Sequence, residues 1–88
     1  MNAKTFIPNG SIVLLNGGNK KLMIYGRKQL LLAEEKEEMY DYLAVPYPEG
    51  YINPDYSYVF NEKDIAEIIH KGYSDQEEKE FQKVLNEV

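Results

Sequence analysis

The chain has 88 residues, enough for one modest hydrophobic core and too few for two. Fifteen acidic against ten basic side chains leave a formal charge of −5, which argues against general nucleic-acid binding or charge-driven attachment to anionic lipid. Cysteine is absent, which excludes a disulfide framework, thiol catalysis and the usual zinc sites. No apolar run approaches the ~20 residues that span a bilayer. The N-terminus also lacks the apolar stretch of a signal peptide, so a soluble, cytoplasmic domain spanning residues 1–88 is expected.

Pro8-Asn9-Gly10 reads as a turn, leaving residues 1–7 as a lead-in whose anchors are Phe6 and Ile7. Residues 11–15 (SIVLL) form a short buried strand. Asn16-Gly17-Gly18-Asn19 tolerates the positive φ that a hairpin turn demands. Residues 21–25 (KLMIY) return as the second strand, and Gly26 permits a bulge. Residues 28–39 favour a helix by composition, but three consecutive leucines carry no helical stripe. Strand over 29–33, charged turn over 34–38 and strand over 39–45 is the preferred reading. Pro46 and Pro48 confine this last strand to an edge or end it.

Pro48-Glu49-Gly50 is a further turn, and residues 51–55 are irregular. Residues 56–60 (YSYVF) read as a strand with Tyr56, Tyr58 and Phe60 on one side. For residues 61–71, an N-cap at Asn61, an Ile65/Ile68/Ile69 stripe and Gly72 favour a helix on local signals. A strand over 67–73 competes. The final element is a helix over 74–88. Its start, Ser74-Asp75-Gln76-Glu77, fits a capping box, and Phe81, Val84, Leu85 and Val88 share one face.

Charge is unevenly placed. Residues 1–33 carry five cations and no acid, while residues 34–88 hold all 15 acids against five lysines. Either the two halves pair on folding, or the surface is two-faced and orients a charged partner. His70 is the only histidine, so no histidine pair exists for a metal or a proton relay. The acids at 34–38 and 75–80 lack the spacing of a calcium loop. Gly17-Gly18 lacks phosphate-loop spacing, and Ser11, Ser57 and Ser74 have no partnered base. No catalytic, cofactor-binding or metal-binding residue is therefore assigned.

Tyrosine stands out, with eight copies and no tryptophan. Tyr40, Tyr42, Tyr47, Tyr51 and Tyr58 are the candidate protein-binding residues, since tyrosine gives large contact area at low entropic cost. The competing reading places them half-buried in a small β domain.

Three groups of residues occur in the order of a known family. The first is Ile7-Pro8-Asn9-Gly10-Ser11-Ile12-Val13-Leu14-Leu15, then Gly17-Gly18 and Lys21-Leu22-Met23-Ile24-Tyr25-Gly26-Arg27. The second is Tyr40-Asp41-Tyr42 with Tyr47-Pro48-Glu49-Gly50. The third is Phe60-Asn61, Asp64-Ile65 and Gly72-Tyr73-Ser74-Asp75 with Glu77-Glu78 and Phe81. Together, over roughly residues 7–82, they resemble the small bacterial domain-of-unknown-function family 4176. Residues 28–38 look like a local insertion.

The resemblance implies association with type VII secretion loci of Gram-positive bacteria, near genes for LXG-type toxins, and supplies no active site. It also implies a strand over 66–73 after one helical turn. The expected fold is mainly β (α+β): a small, antiparallel, partly open SH3-like barrel of about five strands. The C-terminal helix should cover one opening through Phe81, Val84 and Leu85. The expected function is that of a non-enzymatic accessory protein of type VII secretion, an adaptor, chaperone or targeting factor for a secreted toxin or another secretion protein. The alternatives are an immunity protein and an interaction domain of unrelated role. No cofactor, nucleic acid or membrane insertion is expected.

Overall fold

The computed structural model describes residues 4–33 and 36–87. Its elements are β1 (Ile12–Leu15), β2 (Leu22–Ala33), β3 (Lys36–Pro46), β4 (Tyr58–Phe60), β5 (Ile65–His70) and α1 (Gln76–Glu87). The strands make one antiparallel sheet in the order β4-β3-β2-β1-β5. β4 and β5 lie at opposite edges, yet residues 61–64 alone connect them, through a 3₁₀ turn at Glu62–Asp64. A flat sheet would separate those edges by roughly 19 Å, more than so short a turn can span. The sheet must curl, and the result is the partly open, SH3-like barrel with one C-terminal helix that the sequence suggests.

Local chemistry fixes the joints. The Asn16 backbone N–H donates to the Asp64 carbonyl at 2.8 Å, and its side-chain amide donates to the Lys63 carbonyl at 3.1 Å. The end of β1 thus clamps the turn that joins the two edges. Within that turn the Asn61 N–H donates to Asp64 Oδ2 at 2.9 Å. Gly72 passes so close to the turn over residues 8–10 that a Cβ there would sit 2.3 Å from the Asn9 carbonyl oxygen. Only glycine allows that approach. Ser11, fully buried, completes the joint by accepting from the Gly72 N–H at 2.9 Å and donating to the Pro8 carbonyl at 2.7 Å.

The core comprises Phe6, Ile7, Val13, Leu22, Ile24, Tyr42, Ala44, Phe60 and Leu85, with Leu15 and Ile65 packed against it. Phe6 and Ile7 do anchor the lead-in. Tyr42 is the centre of this cluster. Its ring meets Phe6 edge-on (centroids 6.1 Å apart) and Phe60 in a tilted contact at 5.8 Å. Its hydroxyl accepts from the Ile7 N–H at 2.9 Å.

Several boundaries differ from expectation. Residues 22–25 and 29–33 belong to one strand, because the irregularity at Gly26 shifts the register between Ile24 and Gly26 without ending the ladder. Of the expected charged turn over 34–38, Lys36, Glu37 and Glu38 are in β3, while Glu34 and Glu35 lie outside the described residues. β3 is interior, between β2 and β4, and Pro46 ends it. β4 begins only at Tyr58, because Asn53 Oδ1 accepts from the Asp55 N–H at 2.8 Å and caps a 3₁₀ turn over Pro54–Tyr56. Tyr56 and Tyr58 therefore do not share a strand. Residues 65–70 are strand, where the resemblance implied one over 66–73 and local signals favoured a helix; the strand stops before Gly72.

α1 holds the largest surprise. Its cap is Asp75, whose Oδ1 accepts from the Glu78 N–H at 3.1 Å, not Ser74. Of the expected covering face only Leu85 is buried; Phe81 is 45% and Val84 52% exposed, and Val88 lies outside the described residues. The face turned inward is largely polar. The Gln82 carboxamide accepts from the Phe6 N–H (2.9 Å) and donates to the Phe6 carbonyl (2.8 Å). Asn86 makes the same pair of bonds with Lys4, both at 2.7 Å. The spacing explains the match: four residues of helix rise about 6 Å and two residues of strand about 6.6 Å. Two side-chain amides thus act as a neighbouring strand for the lead-in.

Candidate protein-interaction surface

The structure separates the tyrosines singled out in the sequence. Tyr42 is fully buried, so it is a core residue and offers no ring to a partner; its place in the expected patch is corrected. The cause is strand parity, since Tyr42 and Ala44 point to the same, inner side of β3. Burial pushes its hydroxyl up to about 12 from the usual 10.0, and nearby Glu62 and Asp41 act in the same direction. Tyr40 is half-buried and donates to Glu38 Oε2 at 2.8 Å, beside Gln29 on the arm formed by β2 and β3.

Tyr47, Tyr51, Tyr56 and Tyr58 are all exposed, from 41% to 60%. Tyr58 joins Leu15, Gly18, Lys20 and Leu22 around a pocket of ≈ 270 Å³ at one mouth of the barrel. The Tyr47 N–H donates to the Lys21 carbonyl at 2.9 Å. Lys20 pairs with Glu49 at 2.9 Å, so Tyr47 and Tyr58 both meet the start of β2. Tyr25 joins them from β2: its hydroxyl lies 3.4 Å from Ser57 Oγ, next to Tyr56 and Tyr58. Tyr25 is 40% exposed and was not among the sequence candidates. The available signal was Gly26, which marks the irregularity beside which Tyr25 sits.

Electrostatics bind the basic first third of the chain to the acidic remainder. Lys4 pairs with Asp41 (2.6 Å), Lys20 with Glu49, and Arg27 with Glu78. Arg27 is the buried member. Its Nη1 and Nη2 form a bidentate pair with Glu78, the latter at 2.9 Å, and Nη1 also reaches the Ile7 carbonyl at 3.3 Å. Its guanidinium lies 5.4 Å from the Phe81 ring centroid, a cation–π distance. The Arg27 hydrogen bonds hold the Glu78 carboxyl below its usual 4.5 against the opposing effect of burial. Three of the five cations of residues 1–33 thus pair with acids of the remainder on folding.

His70 is exposed at the end of β5. Ser11 and Ser57 bond to the turn and to Tyr25 as described above. Among the described residues no group of three or more His, Asp or Glu side chains is placed to hold a metal ion. No helix among them is long and apolar enough to cross a membrane.

These features define a small, helix-capped β-barrel with an exposed tyrosine face at one mouth. The chain matches the family model described as Domain of unknown function (DUF4176) over residues 6–81, and it belongs to that family. No curated protein and no solved structure matches it.

Proposed function

We propose that this protein is a non-enzymatic accessory factor of type VII secretion that binds a protein client, an LXG-type toxin or another secretion partner, as adaptor, chaperone or targeting factor. The observation that carries the binding role is the exposed face of Tyr25, Tyr47, Tyr56 and Tyr58, each at least 40% exposed. A barrel this small keeps its aromatic rings inside where its core can take them, as Tyr42 does. Rings held at the surface on rigid strands suit a partner, because tyrosine anchors lose little entropy on contact. The secretion context rests on the family resemblance drawn from the sequence motifs. The test is binding to the LXG toxin encoded beside the gene, with Tyr58→Ala and Tyr47→Ala variants. Loss of an anchor of about 2 kcal/mol weakens binding roughly 30-fold, with the melting temperature unchanged. Absence of any complex at micromolar protein refutes the reading. Protection of cells that express the toxin domain alone, without the secretion apparatus, assigns immunity in its place.

A further inference from the structure

The chain between β5 and α1 is pinned at Gly72, whose N–H donates to the buried Ser11 hydroxyl. The next residue, Tyr73, is nonetheless 81% exposed, the most exposed tyrosine of the protein. Its side chain makes no hydrogen bond or ring contact among the described residues. Tyr73 lines an open cavity of ≈ 550 Å³ at the start of α1, together with Arg27, Asp75, Glu77, Glu78 and the outward-turned Phe81.

The three carboxylates on this lining do different work. Asp75 caps α1 and Glu78 holds Arg27. Glu77 does neither: it is exposed, and its side chain makes no hydrogen bond or ion pair among the described residues. Because Arg27 is engaged by Glu78, the Asp75 and Glu77 carboxylates have no counter-charge in the cavity. Arg27 also keeps an unused donor, since its buried Nε has no hydrogen-bond acceptor among the described residues.

Exposed aromatic faces beside unpaired carboxylates attract a cation, and a buried N–H requires an acceptor. A basic side chain on a peptide brings both, the cation and a backbone carbonyl, whereas a free amine or metal cation brings only the first. A guanidinium suits the cavity better than an ammonium, because it stacks on a ring while its parallel N–H groups grip a carboxylate. We propose that this cavity is a docking site for an arginine on an extended segment of a partner protein. The guanidinium lies against Tyr73 and Phe81 and pairs with Glu77, and a carbonyl of the segment accepts from Arg27 Nε. The site shares no residue with the tyrosine mouth, so it stands independently of the client-binding reading.

The probe is the blocked peptide acetyl-Gly-Gly-Arg-Gly-Gly-amide, titrated into isotope-labelled protein at fixed ionic strength and followed by NMR. One such anchor corresponds to a dissociation constant of about 1 mM, so roughly 10 mM peptide fills the site. The amide signals of Tyr73, Asp75 and Glu77 and the Arg27 Nε–H signal should move along one binding curve. Tyr73→Ala and Glu77→Gln should each weaken binding about two- to five-fold. Both side chains are exposed, so unchanged melting temperatures verify the fold of each variant. Peptides carrying citrulline, which keeps the shape without the charge, or lysine in place of arginine should bind more weakly. Signals that stay still, a citrulline peptide that binds equally well, or an affinity unchanged in both variants overturns the proposal. A lysine peptide of equal affinity overturns the assignment to arginine, and an unmoved Nε–H signal overturns the carbonyl contact.

Discussion

Replacing Gln82 by alanine isolates the device that holds the lead-in against the barrel. The carboxamide makes two hydrogen bonds to the backbone of Phe6, and Phe6 itself is 3% exposed in the core. At about 1 kcal/mol net for each bond, Gln82→Ala costs about 2 kcal/mol. For a domain of this size each kcal/mol moves the melting temperature by roughly 4–8 °C, so a fall of roughly 8–16 °C is expected. Asn86 makes the equivalent bonds to Lys4, but at an exposed position where water replaces them, and Asn86→Ala should cost ~1 kcal/mol or less. Gln82→Glu should be at least as damaging as alanine at neutral pH. Its carboxylate would face the Phe6 carbonyl and the Glu78 carboxylate, to which the Gln82 amide now donates at 2.6 Å.

Thermal melts followed by circular dichroism give the stability change. Amide hydrogen exchange gives its location, since the Phe6 N–H should lose protection in Gln82→Ala while Ile24 and Ala44 in the sheet keep theirs. A fall in melting temperature of under about 2 °C, or a Phe6 amide as protected as in the wild type, refutes the reasoning. Either result would mean that the lead-in is held by Phe6 and Ile7 packing alone.

Two further outcomes follow from ionisation. Tyr42→Phe leaves the buried Ile7 N–H without its acceptor and should cost about 1–3 kcal/mol. Because the folded Tyr42 hydroxyl sits at about 12 against 10.0 unfolded, it contributes stability that is complete below pH 10 and lost as pH climbs toward 12. The alkaline unfolding curve of Tyr42→Phe should be the flatter of the two. At the other extreme, Glu78 titrates below its usual 4.5 because of Arg27, so its contribution is present above that value and lost as pH falls through the lower folded value. Glu78→Gln should be destabilised at pH 7 yet show a shallower acid limb than the wild type, measured by melts between pH 2 and 7.

The strands were legible wherever a turn residue bounded them. Gly10, Gly17 and Gly50 all adopt positive φ, at +92°, +78° and +78°, and each marks a break that the sequence shows. The antiparallel hairpins were legible through the short turns, but the order of the sheet was not, since the short link over residues 61–64 joins β4 and β5, which lie at opposite edges. Element ends were harder where a local side-chain bond competed with the ladder, as Asn53 does before β4. The long β2 was read as two pieces because Gly26 looks the same in sequence whether a strand bends or stops. For residues 61–71 local signals favoured a helix over the competing strand. Pairing with β1 overrides them, since a stripe of isoleucines serves a strand as readily once a neighbour supplies its hydrogen bonds. The tyrosine face was visible only as a density of rings, because parity decides which ring is core, and parity depends on a register that sequence does not print.

α1 shows why the apolar face of a helix is not always its inner face. Periodicity reports that Phe81, Val84 and Leu85 lie together; it does not report what the helix must pack against. Here the surface awaiting α1 is a strand of backbone, Lys4 to Phe6, together with a buried guanidinium. A purely apolar helix face would leave the Phe6 amide and carbonyl unpaired, and each buried orphan costs about 1–3 kcal/mol. Arg27 without a counter-charge would cost more still. Glu78, Gln82 and Asn86, each four residues after the last, meet those demands on one stripe, and Leu85 alone reaches the apolar core beside them. Phe81 and Val84 are displaced outward by that solution. The Glu-x-x-x-Gln-x-x-x-Asn spacing is thus the part of the helix sequence that specifies docking, and it requires an unpaired strand at the opposite end of the chain to have meaning. That strand is the lead-in, whose own sequence carries no sign of it beyond Phe6 and Ile7.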